Sequence, residues 1–187
     1  GSGLRLIVSI GAICLVLFAL LTAGQWWAER QSLANRLYRL QDKMQAQYEK
    51  GHYEVASKVA EDVLRLAEEK YGLGDYRLVP HILWLAFLEE VQGNYGEVMS
   101  LYKRAIELRE KAYGQDDLEL VNPLFSLAMA YLDVGQYSEA EPLYKRIIGI
   151  WQKRSGQHHN DVALAHWRLG VLYERLGRYD AAQASFQ

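Results

Sequence analysis

The chain has 187 residues, half of them hydrophobic, and its 21 basic and 23 acidic residues leave a formal net charge of −2. The apolar fraction excludes an intrinsically disordered chain, and the nearly neutral charge argues against a nucleic-acid partner, which would need a basic face. The single cysteine excludes an intrachain disulfide and a thiolate zinc cluster.

The first predicted element is an apolar helix at the N-terminus. No charged residue occurs from Leu6 to Ala28. As a helix, residues 6–23 would reach about 27 Å, close to the ~30 Å hydrocarbon core of a bilayer. Two tryptophans follow at a position where amphipathic rings favour the headgroup layer. We therefore predict a single-pass membrane anchor over residues 1–28, with lipid contacts through residues 4–27. The contact residues named on this basis are Leu6, Phe18, Trp26 and Trp27.

Two other interpretations of this segment remain open. A cleavable signal peptide would use the small residues Thr22, Ala23 and Gly24 as its cleavage site. A buried core helix is less favoured, because the segment is apolar all round and far from the repeats that follow. More basic residues follow the segment than precede it, which would place the residues after it in the cytoplasm. An arginine before an apolar run, however, is typical of an export signal. The balance slightly favours an extracytoplasmic location for the rest of the chain.

The rest of the chain repeats with a fixed period. A Gly-x-Tyr motif begins at Gly51, Gly93, Gly135 and Gly177, so each motif follows the last by 42 residues. Apolar residues recur in the same register at spacings of three and four, which is one face of a helix. Each period therefore predicts two helices, a long one such as 137–154 and a shorter one such as 161–176.

Glycines and small residues predict how these helices end and pack. We assign left-handed C-terminal caps to the glycines after the long helices, and tight reversals to the Gly-x-Tyr glycines. The first group is Gly72, Gly114 and Gly156. A column of small residues would let neighbouring helices approach closely, and an aromatic column would fill the remaining space. The small column is Ala86, Ala128 and Gly170, and its aromatic partners are Tyr102, Tyr144 and Phe186.

These columns resemble the tetratricopeptide repeat. One unit reads Leu127, Ala128, Tyr131, Gly135, Tyr137, Ala140 and Tyr144. The long period, the run 102–111 and the loop residues 159–163 are similar to the variant found in kinesin light chains. The match weakens in the first unit, and Glu89 departs from the tyrosine column in the second. The resemblance implies an all-α, right-handed α-solenoid of antiparallel helix pairs over residues 29–187. Its units would be about 30–72, 73–114, 115–156 and a truncated 157–187.

The resemblance also implies a binding surface. In this family the shorter, first helix of each unit lines a groove that takes a peptide or a helix. By register, the groove residues would be Trp84, Phe87, Asn122, Phe125, Met129, Trp167, Arg168, Val171 and Arg175. This set is more apolar than basic, so we expect an apolar helix or extended segment docked by aromatic anchors. The alternative is that the aromatic members are buried against a neighbouring helix or loop.

Catalysis has little support in the sequence. His158, His159 and Asp161 form the one cluster with metal-like composition, but a turn with Asp161 as helix cap is the favoured interpretation. No phosphate-binding loop, paired-carboxylate cleft or Ser-His arrangement is present in the sequence. Runs such as Lys103-Arg104 indicate a solvated helix face with ion pairs between neighbouring turns. We therefore expect no enzymatic activity, no metal and no cofactor.

The leading functional hypothesis is a membrane-anchored scaffold that binds another protein through an apolar concave groove. One alternative is a structural accessory subunit that braces a larger membrane protein complex. Another is the regulatory part of a longer enzyme whose catalytic domain lies beyond residue 187. Mutation of groove residues would separate the first two, because a client peptide should be released while a braced subunit should stay assembled.

Overall fold

The structure is a computed structural model that describes the backbone of residues 2–155 and 160–186. Side chains are described at residues 22–25, 27–28, 31–153 and 162–186. Over these ranges all regular structure is helical. The α-helices are α1 Ser2–Glu49, α2 Tyr53–Tyr71, α3 Val79–Gln92, α4 Tyr95–Tyr113, α5 Val121–Asp133, α6 Tyr137–Ser155, α7 Asn160–Arg175 and α8 Tyr179–Phe186. Short 3-10 turns precede α3 and α5, at Tyr76–Leu78 and Leu118–Leu120.

The helices pack in chain order as a repeat solenoid of helix pairs. Each helix packs on the next, so that α1 lies on α2, α2 on α3, and so on to α8. The long helices α2, α4 and α6 have 19 residues each and begin at tyrosines of successive Gly-x-Tyr motifs. Equivalent residues fill the core, since Leu78 and Leu120 in the two 3-10 turns are both fully buried. The predicted helical repeat is therefore present.

The glycines of the Gly-x-Tyr motifs are the left-handed helix caps. Gly93 ends α3 with φ 80° and ψ 16°. Its N–H donates to the Glu90 carbonyl at 3.0 Å, and the N–H of Asn94 donates to the Glu89 carbonyl at 3.0 Å. This pair of hydrogen bonds is the Schellman motif, which requires a positive φ that glycine adopts without a steric penalty. The same pair of bonds recurs at the other three Gly-x-Tyr glycines.

The glycines after the long helices have a different conformation from the one predicted. Gly72 and Gly114 have positive φ values of 87° and 86°, but their ψ values are 152° and 172°. The extended ψ sends the chain into the loop that leads to the 3-10 turn, instead of closing a left-handed cap. Gly156, the third member of this group, lies outside the described residues.

Helix α1 is continuous from Ser2 to Glu49. It passes without a break through residue 28, where the sequence predicts the end of a membrane anchor. Its last part joins the solenoid by packing on α2, and Leu37 and Met44 are buried there. Arg36 and Arg39 lie beside Leu37 and are exposed, so this part of α1 is an amphipathic first helix.

The predicted localisation in a membrane is wrong. Among the residues that the structure describes, no helix combines the length and the apolar character needed to cross a bilayer. The predicted lipid contacts Leu6, Phe18 and Trp26 lie outside the described side chains, and Trp27 is 66% exposed. The slight preference for an extracytoplasmic location depended on this membrane anchor and is corrected with it.

The small residues of the column are buried, and the last of them meets its aromatic partner. Ala86 and Ala128 are completely buried. At the third position of this column there is no room for a side chain, because a Cβ atom on Gly170 would overlap the ring of Phe186. The small residue at this position therefore sets how closely α7 and α8 approach.

Candidate protein-interaction face

The first helices of the pairs are α1, α3, α5 and α7, and side chains on one surface connect α1 with α3 and α5 with α7. The ring of Tyr48 on α1 packs on Trp84 and Phe87 of α3, with centroid distances of 5.6 and 5.7 Å. Farther along, the guanidinium of Arg168 on α7 lies 5.6 Å from the centroid of the Phe125 ring on α5. We call this surface the first-helix face.

At the α1–α3 end, this face has a cluster of aromatic rings. Trp84 and Phe87 are 36% and 38% exposed, and their centroids are 6.0 Å apart with ring planes at 84°. Tyr48 completes a group of three rings that we call the aromatic corner, and Tyr53 packs on Tyr48 from α2 at 5.8 Å. A cavity of about 350 Å³ opens between these three rings and Leu83. Apolar surface of this kind, left open to solvent, is typical of an interaction site.

A second, larger cleft lies between α5, α6 and α7. Its volume is about 530 Å³. It is bounded by Leu118, Glu119, Val121, Asn122, Phe125, Ile147, Trp151, Leu164 and Ala165. Asn122 is exposed, whereas the Phe125 ring is half-buried and forms part of the wall. The cleft is large enough to accept an apolar side chain of a bound segment.

Tyr144 supports the wall of this cleft from behind. Its ring packs edge-on against Phe125 at 5.9 Å, and its hydroxyl donates a hydrogen bond to the sulfur of Met129 at 3.4 Å. Burial raises the pKa of Tyr144 to about 12, with the charge of Asp133 as a smaller contribution in the same direction. The hydroxyl is therefore protonated at neutral pH and remains a donor. Met129 is half-buried and accepts this hydrogen bond. Less of its side chain is therefore available to a partner than its groove position predicts.

The α7 end of the face carries cations over aromatic rings. Trp167 is 49% exposed, and the Arg168 guanidinium lies 5.1 Å from its ring centroid. The Nε atom of Arg168 is buried and has no hydrogen-bond partner in the described part of the chain. Arg175, two turns later, lies 6.0 Å from the Tyr137 ring and donates to the Tyr137 hydroxyl at 3.5 Å. Val171 lies between these arginines and is half-buried.

The structure thus places the nine predicted groove residues on the first-helix face, and each keeps some exposure to solvent. It brings them together in an aromatic corner, an apolar cleft and a cationic end. The far wall of the cleft was not predicted, because Ile147 and Trp151 belong to a long helix. The periodicity of α6 predicts that both residues lie in the core. Nothing in the sequence indicates that a cleft opens beside them.

No group of His, Cys, Asp and Glu that could bind a metal ion occurs among the residues that the structure describes. The metal-like cluster noted in the sequence lies outside this part of the chain, since His158, His159 and the Asp161 side chain are not described. The groups that bound the aromatic corner, the cleft and the α7 end are mainly aromatic, aliphatic and cationic side chains.

Comparison with solved structures identifies the same fold in other proteins. BtubC (BKLC) from P. vanneervenii superposes with a TM-score of 0.68 at 18% identity, over 76% of this chain and 57% of the other. A kinesin-light-chain-like protein of Podosopora anserina, built from nearly identical TPR-like repeats, gives 0.69 at 19% identity, over 80% and 71%. At these identities the likeness concerns the fold alone, and our chain spans little more than half the length of BtubC.

Comparison of sequences identifies the family. No curated protein matches the chain. The tetratricopeptide repeat model matches residues 78–153 and 125–187, which together cover more than half of the 187 residues. The matched range begins in the 3-10 turn before α3 and continues through α8. The chain therefore belongs to the tetratricopeptide repeat family.

Proposed function

We propose that the chain is a protein-interaction scaffold whose first-helix face binds a segment of another protein. The observation that supports this most directly is the partial exposure of Trp84, Phe87 and Trp167 on one face of a repeat array. Large aromatic side chains supply much of the binding energy at protein interfaces, and they act best in pockets from which water is removed. The cavity beside Trp84 and Phe87 provides one such pocket, and the cleft bounded by Phe125 provides another on the same face.

A segment in an extended or helical conformation fits this surface. The aromatic corner lies between α1 and α3, and the cleft lies farther along the face between α5, α6 and α7. Two apolar side chains of one segment would occupy them. This arrangement supports docking by a linear segment over docking by a broad, flat partner surface.

The test compares a variant of the aromatic corner with a control variant at an exposed aromatic residue elsewhere on the surface. The double variant Trp84→Ala/Phe87→Ala removes the aromatic corner, while Tyr179→Ala removes a more exposed aromatic residue at the start of α8. Proteins bound to the immobilised chain would be compared by quantitative mass spectrometry, and one recovered protein would then be titrated against each variant. We expect binding to weaken at least about tenfold for the double variant and to remain unchanged for Tyr179→Ala. Equal binding by all three proteins would refute the proposed face.

A further inference from the structure

Four basic residues lie in a line along the outer side of α1. Arg36, Arg39 and Lys43 belong to the helix, and Lys50 is the residue directly after its last turn. At 3.6 residues per turn each position advances by about 100°, so the four residues fall within an arc of about 60°. All four side chains are exposed to solvent. We call this line of residues the basic stripe.

The basic stripe points away from the first-helix face. Tyr48 packs on Trp84 of α3, and by the same helical geometry it lies about 120–180° around α1 from the stripe. Asp42 and Glu49 are the acidic residues of α1 between positions 31 and 49, and they lie between the stripe and Tyr48. A ligand bound along the stripe would therefore leave the first-helix face accessible.

The positive charge of the stripe is not balanced within the described part of the chain. The ion pairs between described side chains lie between residues 54 and 178, on the later helices and their turns, and none involves α1. Arg39 donates to the carbonyl of Asn35 in its own helix at 3.4 Å, which is a neutral acceptor. Like charges three and four residues apart on a helix repel each other. An external anion would relieve this repulsion.

The length of the stripe suits an extended chain. Positions 36 and 50 are about 21 Å apart along the helix axis, at about 1.5 Å per residue. Four charges over this length have a mean spacing of about 7 Å, which is close to the rise of two residues in an extended strand. Alternate side chains of such a strand point to the same side. Carboxylates at every second residue would thus meet the four cations, and the flexible basic side chains would absorb the uneven gaps between them.

We propose that the basic stripe binds an extended acidic segment of another protein, with a glutamate or an aspartate at every second position. A nucleic acid suits the stripe less well, because duplex DNA has a charge about every 1.7 Å and would also meet Asp42 and Glu49. The net charge of −2 agrees with this choice, since a nucleic-acid partner would need a broad basic face. This site is separate from the proposed function and does not depend on it.

Three fluorescently labelled peptides test the proposal on the full chain by anisotropy titration. The first has four glutamates that alternate with serine, the second has glutamine in place of glutamate, and the third has the four glutamates in one block. We expect the alternating peptide to bind, the block peptide to bind several-fold more weakly, and the glutamine peptide not to bind. Raising the salt concentration from about 0.05 to 0.3 M should weaken binding of the alternating peptide, because exposed charges are screened.

Two matched variants connect this binding to the stripe. Arg36→Gln/Lys43→Gln removes two charges of the stripe and should weaken binding of the alternating peptide roughly three- to tenfold. Lys103→Gln/Lys111→Gln removes the same charge at exposed positions of α4 and should leave binding nearly unchanged. Both variants would be checked for native helicity by circular dichroism.

Several outcomes would overturn the inference. They are equal binding by the two variants, equal binding of the two glutamate peptides, and absence of binding by every peptide at millimolar concentration. Tighter binding of a short DNA duplex, or of phosphatidylcholine vesicles that contain phosphatidylserine, would replace the acidic segment by another partner. Trp84→Ala/Phe87→Ala should leave binding of the alternating peptide unchanged, so this experiment and the test of the first-helix face can fail independently.

Discussion

Arg146 on α6 donates to the carboxylate of Glu110 on α4 at 2.5 Å. The equivalent pair one repeat earlier is Arg104 on α4 with Glu68 on α2, at 2.6 Å. Each arginine also donates to a backbone carbonyl in the loop after the preceding long helix, at 2.9 Å to Gln115 and 3.5 Å to Leu73. Successive long helices are therefore connected by the same ion pair, repeated every 42 residues.

The first prediction concerns this repeated ion pair. Both side chains of the Arg146–Glu110 pair are less than one third exposed, so the pair is screened less than an open surface pair. A double-mutant cycle with Arg146→Gln and Glu110→Gln should give a coupling free energy of about 0.5–1.5 kcal/mol in urea unfolding. The exposed pair Lys58–Glu54 serves as the control and should give less. A coupling of zero for Arg146–Glu110 would contradict a stabilising role.

The second prediction compares two glycines. Gly93 has a positive φ, so Gly93→Ala should lower the free energy of unfolding by about 1–2 kcal/mol. Gly149 lies inside α6, and a Cβ atom there would meet nothing within 4 Å. Gly149→Ala should therefore raise the free energy of unfolding by roughly 0.5–1 kcal/mol. Chemical denaturation followed by circular dichroism measures both changes, and changes of the same sign would show that the cap assignment is wrong.

The third prediction concerns a buried carboxylate. Glu89 is 5% exposed and accepts hydrogen bonds from the Ser57 hydroxyl and from the Asn94 amide. Ser57→Ala removes one donor from a buried acceptor and should cost about 1–3 kcal/mol in the free energy of unfolding. Ser100→Ala, at an exposed serine whose hydroxyl donates to its own helix, is the control. Equal, small losses for the two variants would show that Glu89 gains little from Ser57.

The fourth prediction concerns acid stability. The hydrogen bond from Lys145 holds the pKa of Glu141 below its ordinary 4.5, with Tyr173 and Arg178 acting in the same direction against the effect of burial. A carboxyl with a lowered pKa in the folded state stabilises the fold above its unfolded pKa, and this contribution is lost as the pH falls through the folded pKa. Thermal unfolding between about pH 6 and pH 3 should therefore depend less on pH in Glu141→Gln than in the native chain.

A second variant tests the same assignment. The Tyr173 hydroxyl donates to Glu141 at 3.0 Å, so Tyr173→Phe removes one of the bonds that favour the charged carboxylate. The pH dependence should then lie between those of the native chain and Glu141→Gln. If the pH dependence of thermal unfolding is the same in both variants as in the native chain, Glu141 does not contribute to the loss of stability in acid.

The period of the repeat predicts most of the helices, because apolar residues must recur on the buried side of each one. The positions of Tyr137 and Asn160 at the starts of α6 and α7 agree with the sequence to within one residue. The roles of the glycines are less predictable, since a positive φ alone does not fix ψ. Gly93 and Gly72 both have positive φ, yet only Gly93 closes a left-handed cap.

Charged contacts between helices are harder to predict from one sequence. The Lys145–Glu141 pair joins neighbouring turns of one helix, as the pattern indicates. Arg146 is adjacent in sequence but points to another helix, and only the packing of α6 on its neighbours sets that direction. The wrong prediction of a membrane location has a related cause. The apolar composition of residues 6–23 does not reveal that α1 continues to Glu49 and packs on α2.

The connection of each long helix to its chain neighbours has a mechanical consequence. A force applied to the two ends of the chain loads the helix pairs in series, and each pair is held mainly by the pairs beside it. Stretching should therefore extract one pair at a time, and each release should lengthen the chain by about 14–15 nm for a repeat of this period. The array would therefore unfold one helix pair at a time under tension. Pairs that are still folded would keep their part of the first-helix face.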